Sequence, residues 1–146
     1  MAKRNKIRVY VHFVWRTWDS LPLITEEIER DLFRYMSTVC QDDKCDVLAI
    51  GGMPDHVHLF ASLAPTISIA ELMKHVKGGS SRFVSKHLCL GPTFQWQGHY
   101  GAFSVSPHEK SVVIQYVRNQ KQHHAEGRIW KEAEDPTEEF VYQDAP

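Results

Sequence analysis

The chain has 146 residues, 42% of them hydrophobic and 24% charged, which is ordinary for a single globular domain with a sizeable core. The formal net charge of −1 hides an asymmetry, because residues 1–125 carry 15 Lys and Arg against 11 Asp and Glu, whereas residues 126–146 carry 2 against 7. No apolar run approaches the roughly 20 residues of a membrane span, so we expect no membrane partner, and the charge permits a DNA partner without requiring one.

The basic start of the chain is not followed by the apolar core of a signal peptide. The three cysteines, Cys40, Cys45 and Cys89, have no metal-ligand spacing and are typical of reduced thiols. We therefore expect a cytoplasmic protein.

The first half of the chain predicts a strand, a helix and two more strands. Residues 7–16 alternate in the manner of a strand with one buried face. Thr25 can cap the helix that follows. Short apolar runs then predict strands over 47–50 and 56–63, joined by a tight turn at 51–55.

In the second half, Ser68 and Glu71 form a capping box for a helix that Gly78-Gly79 should bend or interrupt. Residues 91–101 are typical of a loop, and 102–105 predict a short strand.

Ser106 and Glu109, with a proline between them, form a second capping box. The helix that they open should run to about His124.

The predicted order β-α-β-β-α-β-α matches a split βαβ, ferredoxin-like α+β fold, which RNA-recognition modules share. Its helices should cover one face of an antiparallel sheet, with an additional C-terminal helix. The first and third strands then lie side by side at the centre of the sheet. We expect one domain over 1–125 and an acidic C-terminal tail over 126–146.

Two side-chain pairs carry the candidate chemistry. His56 and His58 are two apart on a strand and share a face, and Tyr116 and Gln120 are four apart on a helix and also share a face. Two imidazoles and an amide oxygen can hold a divalent metal, and the lack of a carboxylate ligand suits Mg²⁺ or Mn²⁺ bridged by phosphate. The alternatives are a hydrogen-bonded or surface histidine pair and a tyrosine that only packs in the core.

Three further residues are candidates to support this site. Asp55 immediately precedes the histidines and could orient a ligand or bind water, and His12 lies on the strand expected beside them. His124 lies one turn beyond Gln120. Its alternative role is a favourable imidazolium at the negative end of the helix.

Basic and aromatic side chains could contact DNA. A solvated helix face explains the basic residues about as well, and a loop core explains the aromatic residues about as well. The basic candidates are Arg16, Lys74, Lys77, Arg82 and Lys86, and the aromatic candidates are Phe94, Trp96, Tyr100 and Phe103.

Five segments in order resemble the single-tyrosine HUH transposases (the IS200-like class) and their relatives, the REP-associated tyrosine transposases. The segments are HFVWRT at 12–17, MPDHVHL at 53–59, KGGSSR at 77–82, WQGHYGAFSVS at 96–106, and YVRNQ at 116–120 followed by His123 and His124. The resemblance covers about residues 7–125, and five ordered motifs are far more specific than any one of them.

The resemblance implies that His56, His58 and Gln120 are the metal ligands and that Tyr116 is the nucleophile. It implies cleavage of single-stranded DNA beside a hairpin end, through a 5′-phosphotyrosine that leaves a free 3′-OH, and rejoining without ATP. It also implies a homodimer in which the tyrosine helix of one subunit can serve the metal site of the other. Gly98 and Gly101 could provide the hinge.

The rival hypothesis is a non-catalytic module of the RNA-recognition type that binds single-stranded nucleic acid through its sheet. Such a module needs stacking aromatic residues on its two central strands, where this chain instead places His56 and His58. A covalent DNA adduct that requires metal would distinguish the two hypotheses.

Overall fold

The structure is a computed structural model that describes residues 5–88 and 94–125. The predicted acidic tail at 126–146 and Cys89 lie outside the described residues. In the part of the chain that is described, no helix is long and apolar enough to cross a membrane.

Four strands form one antiparallel sheet in the order β2-β3-β1-β4. The strands are β1 (Tyr10–Arg16), β2 (Val47–Met53), β3 (His56–Ser62) and β4 (Gly101–Val105). The first and third strands are neighbours at the centre, as the ferredoxin-like pattern predicts. The α+β prediction is therefore confirmed.

Helices cover both faces of this sheet. On one face, α1 (Glu26–Asp42) and α2 (Ile69–His87) share the main apolar core with the residues of β1 and β3 that point toward them. On the other face, α3 (Lys110–Arg118) packs through Val113 and Val117 against Phe60. The short helix α4 (Gln120–Ala125) follows it.

The prediction that β1 has a single buried face is wrong. Phe13 and Trp15 lie in the main core, as expected, but His12 and Val14 on the opposite face are also fully buried. Alternation along one strand cannot reveal this, since the second face is covered by α3 from a distant part of the chain. The strand also begins at Tyr10 rather than at residue 7, because its partner β3 ends at Ser62, opposite Tyr10.

β2 continues through the glycines that the sequence assigns to a turn. Gly51 and Gly52 pair with His58 and Val57 of β3. A Cβ added to Gly51 would lie 2.0 Å from the carbonyl oxygen of Val117. Gly51 therefore allows α3 to approach the strand backbone closely, whereas a Cβ on Gly52 would instead meet the backbone of His56.

Helix α2 passes through Gly78-Gly79 without the predicted interruption. A Cβ on Gly79 would lie 2.9 Å from the hydroxyl oxygen of Tyr35 on α1. This glycine serves close packing between the two helices. The Ser68 capping box is confirmed, since the Ser68 hydroxyl oxygen accepts a hydrogen bond from the Glu71 amide at 3.1 Å.

The predicted single helix from Ser106 to about His124 is divided. It opens with a 3-10 turn over Pro107–Glu109, and α3 ends at Arg118, where Asn119 leaves helical geometry (φ −103°, ψ 31°). Within the described residues, neither Ser106 nor Thr25 makes a side-chain capping hydrogen bond. The chain then turns into α4.

Candidate active site

The two candidate metal-binding histidines lie on β3, on the sheet face that α3 covers. His56 is 2% exposed and His58 is 0% exposed, and their ring centroids are 5.2 Å apart. Val57 and Leu59 point the other way into the main core, as predicted. The local sequence therefore separates an apolar face from a buried polar face along one strand.

Asp55 orients His56 through a short hydrogen bond. The carboxylate oxygen Oδ1 lies 2.7 Å from His56 Nδ1, and Arg16 Nη1 lies 3.4 Å from the other oxygen, Oδ2. The hydrogen bond with His56 lowers the pKa of the Asp55 carboxyl, and the charge of Arg16 acts in the same direction. A carboxylate that accepts from Nδ1 leaves Nε2 of His56 as the nitrogen that can ligate a metal.

His12 has the corresponding position beside His58. Its Nε2 atom lies 2.8 Å from His58 Nδ1, and the two rings stack at a centroid distance of 5.1 Å. The sheet register explains this contact, because His12 faces Phe60 directly and His58 is the diagonal neighbour on the same face.

Tyr116 is brought to this histidine cluster by α3. It is 3% exposed, and its ring centroid lies 5.6 Å from that of His58 and 6.5 Å from that of His12, in edge-on geometries. A tyrosine that only filled the core would need apolar neighbours. This one instead lies against two imidazoles.

Gln120 is buried at the break between α3 and α4. Its Nε2 donates to the carbonyl oxygen of Tyr116 at 3.0 Å, the acceptor that the main-chain N–H of residue 120 uses in an unbroken helix. Within the described residues, its Oε1 is buried with no hydrogen-bond partner. A buried amide oxygen without a partner is costly, and a hard cation is a partner that such an oxygen suits. The residue therefore fits a metal ligand.

A metal centre made of three or more His, Cys, Asp or Glu side chains is not found among residues 5–88 and 94–125. The predicted ligands are two histidines and the amide of a glutamine. They do not make such a centre, because glutamine is not one of those four residue types.

The end of the chain's described part adds two more imidazoles. The ring of His124 lies 5.1 Å from that of His56, so this predicted supporting residue does reach the site. The ring of His123 lies 5.2 Å from that of Tyr116. His123 is a site neighbour that was not predicted, although its position seven residues after Tyr116, two helical turns on, is a usable signal.

A cleft of about 340 Å³ opens beside His56. Its lining includes Arg16, Asp55 and His124 from the site, and Ser20 and Pro22 from the loop after β1. Arg16, one of the predicted DNA contacts, is therefore next to the site.

The other basic candidates for DNA contact are not brought to the histidines. They belong to α2, which packs on the opposite face of the sheet. Lys74, Arg82 and Lys86 are exposed there. Lys77 instead donates to the carbonyl oxygens of Gln97 at 2.7 Å and His99 at 3.1 Å, and burial lowers its pKa.

Two of the four aromatic candidates for DNA contact pack in the core. Phe94 and Trp96 are buried in the main core, and the Trp96 indole nitrogen donates to the Ser80 hydroxyl at 2.9 Å. For these two residues the loop-core alternative is correct. Tyr100 and Phe103 are partly buried.

Comparison with known proteins gives one family. The family model described as "Transposase IS200 like" matches residues 5–120. The ISDra2 transposase TnpA of Deinococcus radiodurans is 26% identical over 115 residues, which are 75% of this chain and 81% of that protein.

Two solved structures are similar in fold. One is a crystal structure of a protein from D. radiodurans assigned as a transposase, with a TM-score of 0.64, 24% identity, and coverage of 82% of this chain and 96% of that one. The other is a REP-associated tyrosine transposase bound to a REP hairpin, with a TM-score of 0.62, 13% identity, and coverage of 85% and 74%.

Proposed function

The chain belongs to the IS200-like transposase family, and from that membership we propose that it cleaves and rejoins single-stranded DNA through a covalent phosphotyrosine at Tyr116. The observation that carries the proposal is the placement of the Tyr116 ring 5.6 Å from His58, inside a buried cluster of imidazoles. A nucleophile beside candidate metal ligands is the arrangement that phosphoryl transfer needs.

The proposed reaction is a transesterification. The phenolic oxygen of Tyr116 attacks the scissile phosphorus, the Oη–P bond forms, and the bond from phosphorus to the 3′ oxygen breaks. The phenolic proton is lost and the departing 3′ oxygen gains one, which leaves a 5′-phosphotyrosine and a free 3′-OH. A 3′-OH attacks the phosphotyrosine in the reverse step, so joining conserves the phosphodiester and needs no ATP.

Three residues of this chain would hold the divalent ion, Mg²⁺ or Mn²⁺: His56, His58 and Gln120. When bound, such an ion polarises the scissile phosphate and offsets its negative charge. Asp55 holds the proton of His56 on Nδ1, and Gln120 also ties its own helix to the Tyr116 carbonyl. The first hydrogen bond orients His56, and the second fixes the position of Gln120 relative to Tyr116.

The proposed substrate is single-stranded DNA with hairpin ends, as in the relative bound to a REP hairpin. Arg16 beside the cleft would contact a DNA phosphate, and Lys74, Lys77, Arg82 and Lys86 are further candidates for DNA contact. The rival binding module gains no support, because α3 covers the sheet face that such a module would offer to bases.

Adduct formation tests this function. The protein is incubated with labelled hairpin oligonucleotides taken from the DNA around its gene, with Mg²⁺ or with EDTA, and run on a denaturing gel. We expect a slower, denaturation-resistant band only with metal. A hairpin that binds in a shift assay but forms no adduct with Mg²⁺ or Mn²⁺ would support the non-catalytic alternative.

We further propose a homodimer in which the tyrosine helix can serve the partner's site. In the structure of the single chain, Tyr116 lies against His58 of the same chain. This is the arrangement in cis, in which one subunit supplies both the nucleophile and the histidines. Mixing the inactive variants Tyr116→Phe and His56→Ala distinguishes the two. An arrangement in trans restores one intact site per mixed dimer, so part of the cleavage should return.

An arrangement in cis leaves every site of the mixture defective, and activity stays absent. Differently tagged chains that purify together establish that mixed dimers have formed. Absence of cleavage in such purified mixed dimers would contradict the trans arrangement.

A further inference from the structure

His12 is a fully buried imidazole that the proposed reaction does not use directly. It lies on β1, its Nε2 is 2.8 Å from His58 Nδ1, and its ring also contacts the rings of Tyr116 and Phe103. A polar ring so enclosed must have its hydrogen bonds arranged by its surroundings. The hydrogen bond between His12 and the candidate ligand His58 therefore affects which nitrogen of His58 carries the proton.

We propose that His12 is a positioning residue that sets the tautomer of His58, an inference that rests on the proposed function. Two ring nitrogens 2.8 Å apart share one proton, so one of them donates and the other accepts. If His58 is to ligate through Nε2, that nitrogen must be bare and the proton of the neutral ring must be on Nδ1. His58 then donates, and His12 Nε2 accepts.

In this assignment His56 and His58 donate their Nδ1 protons to acceptors of different chemical type. His56 is held by a carboxylate at 2.7 Å and His58 by a neutral imidazole at 2.8 Å. In the opposite tautomer, His12 would donate to His58 Nδ1, and the proton of His58 would occupy the nitrogen that the metal needs. In the proposed tautomer, His12 accepts from His58 Nδ1 and so keeps His58 in the form that can ligate.

The matched variants are His12→Phe and His12→Gln. Phe keeps a planar ring in the same buried position but cannot accept a hydrogen bond. Gln offers an amide oxygen at a reach similar to that of Nε2. We expect the Mn²⁺ dissociation constant, measured by calorimetry on the DNA-free protein, to rise about 10- to 100-fold in His12→Phe, as for other residues that orient a ligand. Gln should restore most of the lost affinity.

Circular dichroism without metal checks that each variant is folded. A folded His12→Phe with native Mn²⁺ affinity, or a Gln variant as weak as the Phe variant, would overturn the proposal. If His12→Phe does not fold, long-range proton–nitrogen NMR of the native protein with Mg²⁺ decides. We expect the His58 proton on Nδ1, and a proton on Nε2 would overturn the assignment.

His58→Ala separates this inference from the proposed function. If His58→Ala binds Mn²⁺ as the native protein does, the metal site itself is elsewhere and both proposals fail. If His58→Ala loses Mn²⁺ while folded His12→Phe retains it, only the role of His12 is refuted.

Discussion

Tyr116→Phe should abolish covalent adduct formation while leaving DNA binding intact. The change removes only the hydroxyl, so the ring keeps its contacts with His58 and His12. Loss of the sole nucleophile should lower the cleavage rate by at least about 10³-fold. Loss of one buried hydroxyl should change the free energy of unfolding by only about 1 kcal/mol.

Denaturing gels measure the adduct and gel shifts measure binding. Tyr35→Phe is a matched control, since that tyrosine stacks on Phe83 in the helical layer on the other side of the sheet. It should form adducts at the native rate. An adduct that persists in Tyr116→Phe would assign the nucleophile to another residue.

The double variant His56→Ala/His58→Ala should lose both saturable Mn²⁺ binding and cleavage, because it removes two of the three proposed ligands. Both side chains are buried, so their truncation leaves a cavity, and we also expect a loss of stability on the order of 2–5 kcal/mol. Measurements at low temperature, with circular dichroism as a check, keep the comparison to folded protein. Calorimetric titration with Mn²⁺ gives the affinity.

His75→Ala is the matched control for the double variant. This exposed histidine bonds Asp43 on the helical layer, and its removal should leave Mn²⁺ affinity unchanged. Native Mn²⁺ binding by the folded double variant would place the metal elsewhere.

The Mn²⁺ affinity of the native protein should also fall as the solution is acidified, since a protonated imidazole cannot ligate.

The strand that carries His56 and His58, and the face of that strand on which they lie, could be predicted from the sequence alone. His56 and His58 alternate with Val57 and Leu59, and this two-residue period needs no knowledge of the rest of the fold. The pairing of β1 with β3 followed from element order, which is why His12 could be expected near them.

What the sequence could not supply depends on contacts between distant segments. The burial of His12 requires α3, almost a hundred residues away, to cover the second face. The sequence predicts a turn at Gly51 because glycine is common in turns, whereas in the structure the absence of a Cβ leaves room for the carbonyl oxygen of Val117. The interruption at Asn119 also could not be predicted, because Tyr116, Val117 and Gln120 keep the spacing of one helix face across it.

The residues of the proposed site belong to two separate parts of the fold, a strand of the sheet and the segment that spans α3 and α4. The histidines are built into the central strand of the sheet, whereas Gln120 is bonded to the Tyr116 carbonyl and must travel with the nucleophile. If the tyrosine helix of one subunit packs against the histidines of its partner, each active site would take His56 and His58 from one subunit. It would take Gln120 and Tyr116 from the other. Gln120 and Tyr116 would form one genetic complementation group, and His56 and His58 would form the second.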